Sequence, residues 1–443
     1  MHIYHGQIAG RFTDMANRGV TPESAVNGGG CLIFDEELAT AIQGELKRSE
    51  GMLSFVASEN HASKTTIEIQ GSMLTDRAIE GYPGRRYFPG CEWIDKIETL
   101  AIRRAIDLFG ADHANVQPHS GTNANLAVYL ACLNPGDTML AMDLSHGGHL
   151  SHGTKVSITG KMYRRVAYGV DRQTETIDYD NIAELAEKER PKLIVAGGSA
   201  YPRFIDFKRL RSIADSVGAL LHVDMAHFAG LVAGGAYPSP VPHAHFTTFT
   251  LYKTMRGGRG GVVLCQEPFA AAVDKAVFPG LQSAVLVPFV AAKAYAFKVA
   301  ATDEFKAYAR QTIANAQALA SGLMARGARL VSNGTDSHLL LLDVTQFGIT
   351  GAEAEQALYD GGIVCNRNRL PFDTSPAGVG SGVRFGTSAV TSRGLREDHM
   401  NDVAGLAFDV LAKVCPPEKM RERVAAICRE YPLRVDRQDA GLL

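Results

Sequence analysis

Three observations predict an α/β protein built around a mainly parallel sheet. Strand-like apolar runs recur as TMLAMDL, KLIVAGG, ALLHVDM, HFTTFTL and GVVLC, several of them separated by helical stretches. Polar residues stand at the carboxyl ends of such runs, where open parallel sheets hold ligands, as Asp224 and His227 do after ALLHV. A chain of 443 residues is long enough for a large domain and a smaller one, each with its own core. The expected division is an irregular arm over 1–33, a large domain over 34–300 with an N-terminal helical segment, and a small C-terminal domain over 301–443.

Taken in order, residues 1–33 carry few periodic signals and three consecutive glycines, Gly28 to Gly30. From Asp35 to about Glu50 the pattern is that of an amphipathic helix; the SENHAS turn follows, then a helix from Lys64 to about Asp76. CEWIDKIETLAIRRAIDLFG has helical period, with Trp93, Ile97, Leu100 and Ile102 as expected core residues and a stop at Gly110. The HSGTNAN turn feeds its own helix, and the strand-like runs come next. A long helical region runs from about Pro288 to Arg326. Beyond it HLLLLDV and GVRFGT read as strands and helices start near Ala352 and Arg393, an α+β arrangement.

A formal charge of −2 with 21% charged residues predicts no nucleic-acid partner. No run of about eighteen apolar residues could span a bilayer, and the first thirty residues lack a signal peptide's apolar centre, so a cytoplasmic protein is expected. The seven cysteines are scattered singly, without a spacing that suggests a metal site or redox pair, and read as reduced.

The chemistry centres on FTLYKTMRGGRGG, Phe249 to Gly261. Burial or neighbouring cations make a lysine nucleophilic by favouring its neutral form, and Lys253 is followed closely by Arg256 and Arg259 in a glycine-rich turn. Upstream, Asp224 ends a buried strand and His227 lies just beyond. An acid for a pyridinium nitrogen and a lysine for a Schiff base are the two protein groups that pyridoxal phosphate most needs. In HSGTNAN, Ser120, Gly121 and Thr122 stand where a turn feeds a helix, so N–H groups, hydroxyls and the helix dipole can face an anion.

Several long runs carry a resemblance: ASEN (Ala57 to Asn60), EGYPGRRY (Glu80 to Tyr87), NVQPHSGTNAN (Asn115 to Asn125), HGGHLSHG (His146 to Gly153), VDMAHFAGLVA (Val223 to Ala233) and RFGTSA (Arg384 to Ala389). On these the chain resembles the serine hydroxymethyltransferases, from about Phe34 nearly to the C-terminus. The resemblance implies the aspartate-aminotransferase-like fold, pyridoxal 5'-phosphate as cofactor, a small amino acid as substrate and tetrahydrofolate as one-carbon acceptor. It implies that Lys253 forms the Schiff base and that Ser120, Gly121 and Thr122 grip the phosphate. His149 then lies flat against the pyridine ring, Asp224 meets its nitrogen, and Ser199 and His227 contact the phenolic oxygen. Thr250, Tyr252 and Arg259 complete the expected cofactor contacts. Arg384, assisted by Ser58, takes the substrate carboxylate, since a planar fork fixes it at two points. Glu80 hands protons between substrate and folate, while Tyr87, Leu144, Leu150 and Asn368 touch the folate. A homodimer or dimer of dimers is implied, with Glu80 and Tyr87 serving the partner's site.

The sequence departs from the family pattern in four places. Ala78 and Phe88 stand where the family has tyrosines, Tyr252 replaces the histidine before the lysine, and FPGLQSAV (Phe278 to Val285) replaces a glycine-rich stretch that meets the phosphate of a neighbouring subunit. Loss of the tyrosine wall at Ala78 opens room for an α-methyl group, so a preference for 2-methylserine over serine is expected. The alternatives are an ordinary serine/glycine enzyme, a folate-independent aldolase and a non-catalytic paralogue.

Overall fold

The computed structural model describes residues 35–376 and 378–433. The expected irregular arm over 1–33 lies outside the described residues. The chain divides into two units, Met1–Gly51 and Met52–Leu443. The described part of the first is the helix Glu36–Gly51, with Glu36 and Glu37 in its first turn, Arg48 in its last and the Asp35 carboxylate accepting from Leu38 N. Each charge complements the helix dipole at its end.

The second unit is organised by a seven-stranded sheet. Its order is His113–Asn115, Gly261–Cys265, Phe246–Thr250, Leu220–Asp224, Leu193–Ala196, Thr138–Met142 and Arg164–Tyr168. The last five strands run parallel, and Gly261–Cys265 pairs antiparallel with both of its neighbours. Every residue of LIVA (193–196) and FTTFT (246–250) is buried, the three threonines included, because helices cover both faces of a central parallel sheet. The two strands without a sequence signal are at the edges. His113–Asn115 is three residues long, and Arg164–Tyr168 opens on two arginines, of which Arg164 is exposed.

The helix Glu92–Phe109 ends at Gly110, whose φ of 68° is the left-handed conformation that glycine adopts without strain. Its buried face is Ile94, Glu98, Ala101, Ala105 and Phe109, with Ile97, Leu100 and Ile102 partly buried against the same core. Trp93 is a correction: it is 72% exposed, with the Lys96 ammonium 3.9 Å from its ring centroid. The i, i+4, i+7 stripe begins at Ile94, which turns the preceding residue to solvent. The helix expected over 64–76 stops at Gln70, and Met73–Asp76 forms a separate 3-10 turn. The region 288–326 is two helices, Val287–Ala300 and Asp303–Met324, the second opened by the Thr302 side chain accepting from Phe305 N.

A second core gathers around a three-stranded antiparallel sheet, Leu339–Asp343, Gly382–Gly386 and Asn366–Asn368. Leu53 and Phe55 belong to this core: Leu53–Ser54 pairs parallel with Ile363–Val364, and Phe55 meets Phe385 edge-on. The helix Asp303–Met324 gives Phe305, Tyr308 and Ala309 to the large core, then Leu319, Ala320 and Leu323 to the second. Residues 116–122, 197–199, 224–227 and 250–253 thereby meet at the carboxyl edge of the large sheet, beside the strand that carries Arg384.

Candidate active site

Strand ends and one helix start form a cavity. Ser120, Gly121 and Thr122 line it from the N-terminus of the helix Gly121–Cys132, which Ser120 caps through its hydroxyl to Asn123 N. Close packing dictates glycine here: a Cβ on Gly121 would sit 2.6 Å from Thr250 Cγ2, and one on Gly197 would sit 2.0 Å from the Asp224 carbonyl oxygen. His149, Ser199, Asp224, His227, Thr250, Tyr252 and Lys253 line the same cavity, as the sequence predicts.

Asp224 ends its strand with three donors on its carboxylate. Asn125 Nδ2 at 2.8 Å and His152 Nε2 at 3.0 Å reach Oδ2, and Ala226 N at 2.9 Å reaches Oδ1. Burial opposes ionisation, but the hydrogen bonds from His152 and Asn125 outweigh it and hold the carboxyl well below its usual range. The acid is therefore an anion across the physiological range. His149 is the converse case: burial, then His152, pushes its imidazole down to about 4, so the ring is neutral. Its Nδ1 bonds the Ser151 hydroxyl at 2.7 Å. The nitrogen and oxygen atoms of His149, His152 and Asp224 lie within 4.8 Å of one another.

Burial pushes the Lys253 ammonium down to about 8, with Asp224 opposing the shift and Arg384 adding to it. The cations expected from sequence do not act here. Arg256 lies over the Tyr308 ring at 5.2 Å, and the exposed Arg259 lies over Tyr252 at 4.2 Å, outside the cavity lining. Arg384 is 8% exposed; it donates to the Ser199 carbonyl and, at 3.1 Å, to Asn366 Oδ1. Among the described residues no carboxylate pairs with it, and burial alone pushes it down to about 10. A buried guanidinium with no counter-charge is costly, and an incoming anion would relieve that cost.

Other expected residues stand apart in the single chain. Ala78, Tyr87 and Phe88 are exposed, Glu80 is half-buried, and none of the four lines the cavity. Leu144 and Leu150 are 45% and 51% exposed, and Asn368 Nδ2 is spent on the Arg369 carbonyl. Ser58 is half-buried beside the Arg384 strand, because Gly386 N donates to the Phe55 carbonyl and Ala57 packs on Gly386. The FPGLQSAV stretch bonds the chain's own backbone, Gln282 to the Gln117 carbonyl and to His119 N, and Val285 N to the Ile79 carbonyl.

Sequence reasoning missed Asn125, His152, His338 and Asn366. The first two lie inside quoted motifs, where polar residues at helix and turn positions were available as donors. His338 faces His227, Nε2 to Nδ1 at 3.4 Å, and Asn366 pairs with Arg384 in strand register. Nothing local marks either, since each contact joins segments far apart in the chain.

The residues fit a phosphorylated pyridine aldehyde. The lining combines a helix N-terminus, an ionised acid, a neutral imidazole and a lysine of lowered pKa, and among the described residues the buried Thr250 hydroxyl has no hydrogen-bond partner. Fold and cavity together define a pyridoxal-phosphate enzyme of the α/β class. The family model "Serine hydroxymethyltransferase" matches residues 32–407. The chain is also 52% identical over 411 residues to a serine hydroxymethyltransferase of Koribacter versatilis (strain Ellin345), covering 92% of this chain and 96% of that protein. It belongs to the serine hydroxymethyltransferase family: an enzyme that transfers one-carbon units, with pyridoxal phosphate as cofactor and tetrahydrofolate as co-substrate. Among the described residues no helix is long and apolar enough to cross a membrane.

Proposed function

We propose that the chain interconverts serine and glycine with tetrahydrofolate, using Lys253 to hold the cofactor covalently. The observation that carries this reading is the buried Arg384, which pairs with no carboxylate among the described residues and bonds the carbonyl of Ser199, a residue of the cavity that Lys253 and Asp224 share. Arg384 would take the substrate carboxylate at two points and so fix the orientation of the bound amino acid. Pyridoxal phosphate, when bound, supplies the electron sink for cleavage at Cα. With the cofactor bound, anionic Asp224 would favour a protonated ring nitrogen, neutral His149 would pack against the ring, Ser120, Gly121 and Thr122 would hold the phosphate, and Ser199 and His227 would serve the phenolic oxygen. With a pKa of about 8, Lys253 has an accessible free amine near neutrality.

Serine is preferred here over 2-methylserine as the substrate. The matching family model and the relative at 52% identity are serine hydroxymethyltransferases, whereas the expected α-methyl preference rests only on Ala78 and Phe88, which are exposed and outside the cavity lining of the single chain. The same exposure of Ala78, Tyr87 and Phe88 supports a homodimer with Glu80 and Tyr87 completing the partner's site, in the cytoplasm. The test is kcat/KM for serine and 2-methylserine, each with and without tetrahydrofolate. Serine turnover that depends on folate is the expected result. A higher value for 2-methylserine reinstates the methylated substrate, and equal rates without folate make the chain an aldolase.

A further inference from the structure

The helix Val287–Ala300 carries a lysine that the chemistry above does not use. Lys293 is 2% exposed, and its ammonium donates to three backbone carbonyls: Val116 at 2.6 Å, Gly261 at 2.9 Å and Pro118 at 3.0 Å. The intervening carbonyl, that of Gln117, is taken at 2.8 Å by Gln282 Nε2, and Gln282 Oε1 accepts from His119 N at 3.3 Å. Successive carbonyls of extended backbone point to opposite sides, so one lysine serves 116 and 118 while a glutamine serves 117. This stretch runs directly into Ser120, Gly121 and Thr122. Gly261 is drawn equally close: its N donates to the Pro118 carbonyl at 2.9 Å, and a Cβ on it would lie 2.2 Å from the Ser120 carbonyl oxygen.

We propose that Lys293 is a positioning residue for the cofactor's phosphate, fixing with Gln282 the backbone that presents the N–H groups of the 120–122 turn. A methionine would fill the same space for folding. Three donors on one flexible stem are what the converging carbonyls demand. Gln282 lies in FPGLQSAV, so the stretch that departs from the family's glycine-rich pattern acts on the phosphate turn of its own chain through this clamp.

The proposal rests on the reading that the turn takes the phosphate, and the experiment separates the two. Cofactor-stripped parent, Lys293→Met, Lys293→Gln and Ser120→Ala proteins are titrated with pyridoxal phosphate and with pyridoxal, following visible absorbance, and their cofactor-free melting temperatures are recorded. Both Lys293 variants are expected to bind pyridoxal phosphate about tenfold or more weakly, with the affinity for pyridoxal nearly unchanged. Equal losses for the two compounds, or a lowered melting temperature with parental affinities, refute the proposal and make Lys293 a core lysine only. Failure of both variants to fold does the same. If Ser120→Ala also fails to discriminate between the compounds, the phosphate reading of the turn falls; if it discriminates and the Lys293 variants do not, only the role of Lys293 falls.

Discussion

Asn125 Nδ2 lies 2.8 Å from Asp224 Oδ2 and belongs to the same helix whose N-terminus lines the cavity at Gly121 and Thr122. One rigid element therefore sets the distance between the anion-binding turn and the acid. Asn125→Leu should leave a buried carboxylate short of a donor and cost about 1–3 kcal/mol of stability, read from denaturant unfolding. Turnover should fall further than cofactor content. Unchanged stability would show that His152 and Ala226 suffice.

Arg384 should act through binding geometry. Arg384→Lys keeps a charge but loses the fork, and kcat/KM for serine is expected to drop by about 10–100-fold, equivalent to about 1.4–2.7 kcal/mol. Visible absorbance of the resting holoenzyme should be nearly unchanged. A variant with parental kcat/KM would remove Arg384 from substrate recognition.

The cofactor-free protein should show the cost of a buried lysine. Lys253 is lowered from 10.5 to about 8, so between these values the unfolded chain binds more protons than the folded one. Stability contributed by this group therefore rises with pH across that window, and below about 8 the penalty is fully present, roughly 3 kcal/mol. Lys253→Met should be more stable than the cofactor-free parent at neutral pH, and the difference should shrink as pH approaches 10.5. A pH-independent difference would reflect packing alone.

The proposed sharing of Glu80 and Tyr87 between subunits, residues half-buried and exposed in the single chain, is open to a complementation test. Mixing inactive Lys253→Ala and Glu80→Gln proteins under conditions of subunit exchange should restore roughly a quarter of parental activity, since half of the dimers are hybrids with one intact site of two. Exchange without recovery would place both residues in one subunit's site.

By itself, the sequence determined the parallel sheet and the residues at its edge. An apolar run such as LIVA and a phenylalanine–threonine run such as FTTFT read as strands, and their burial on both faces puts Asp224, Thr250 and Lys253 at one end. Motif residues local to one turn or helix, Ser120 to Thr122 and His149, were legible for the same reason: their neighbours in space are neighbours in sequence. Tertiary structure alone decided what acts on them. Arg384 rather than Arg256 or Arg259 depresses Lys253, His152 holds Asp224, and Glu98 is buried because Arg86 and Gln117 bond both its oxygens. Trp93 faces solvent because one residue of helical rotation, set by how the helix lies on the sheet, moves a side chain by 100° around the axis. Electrostatic coupling depends on distances through space and on burial, and neither is a property of separation along the chain.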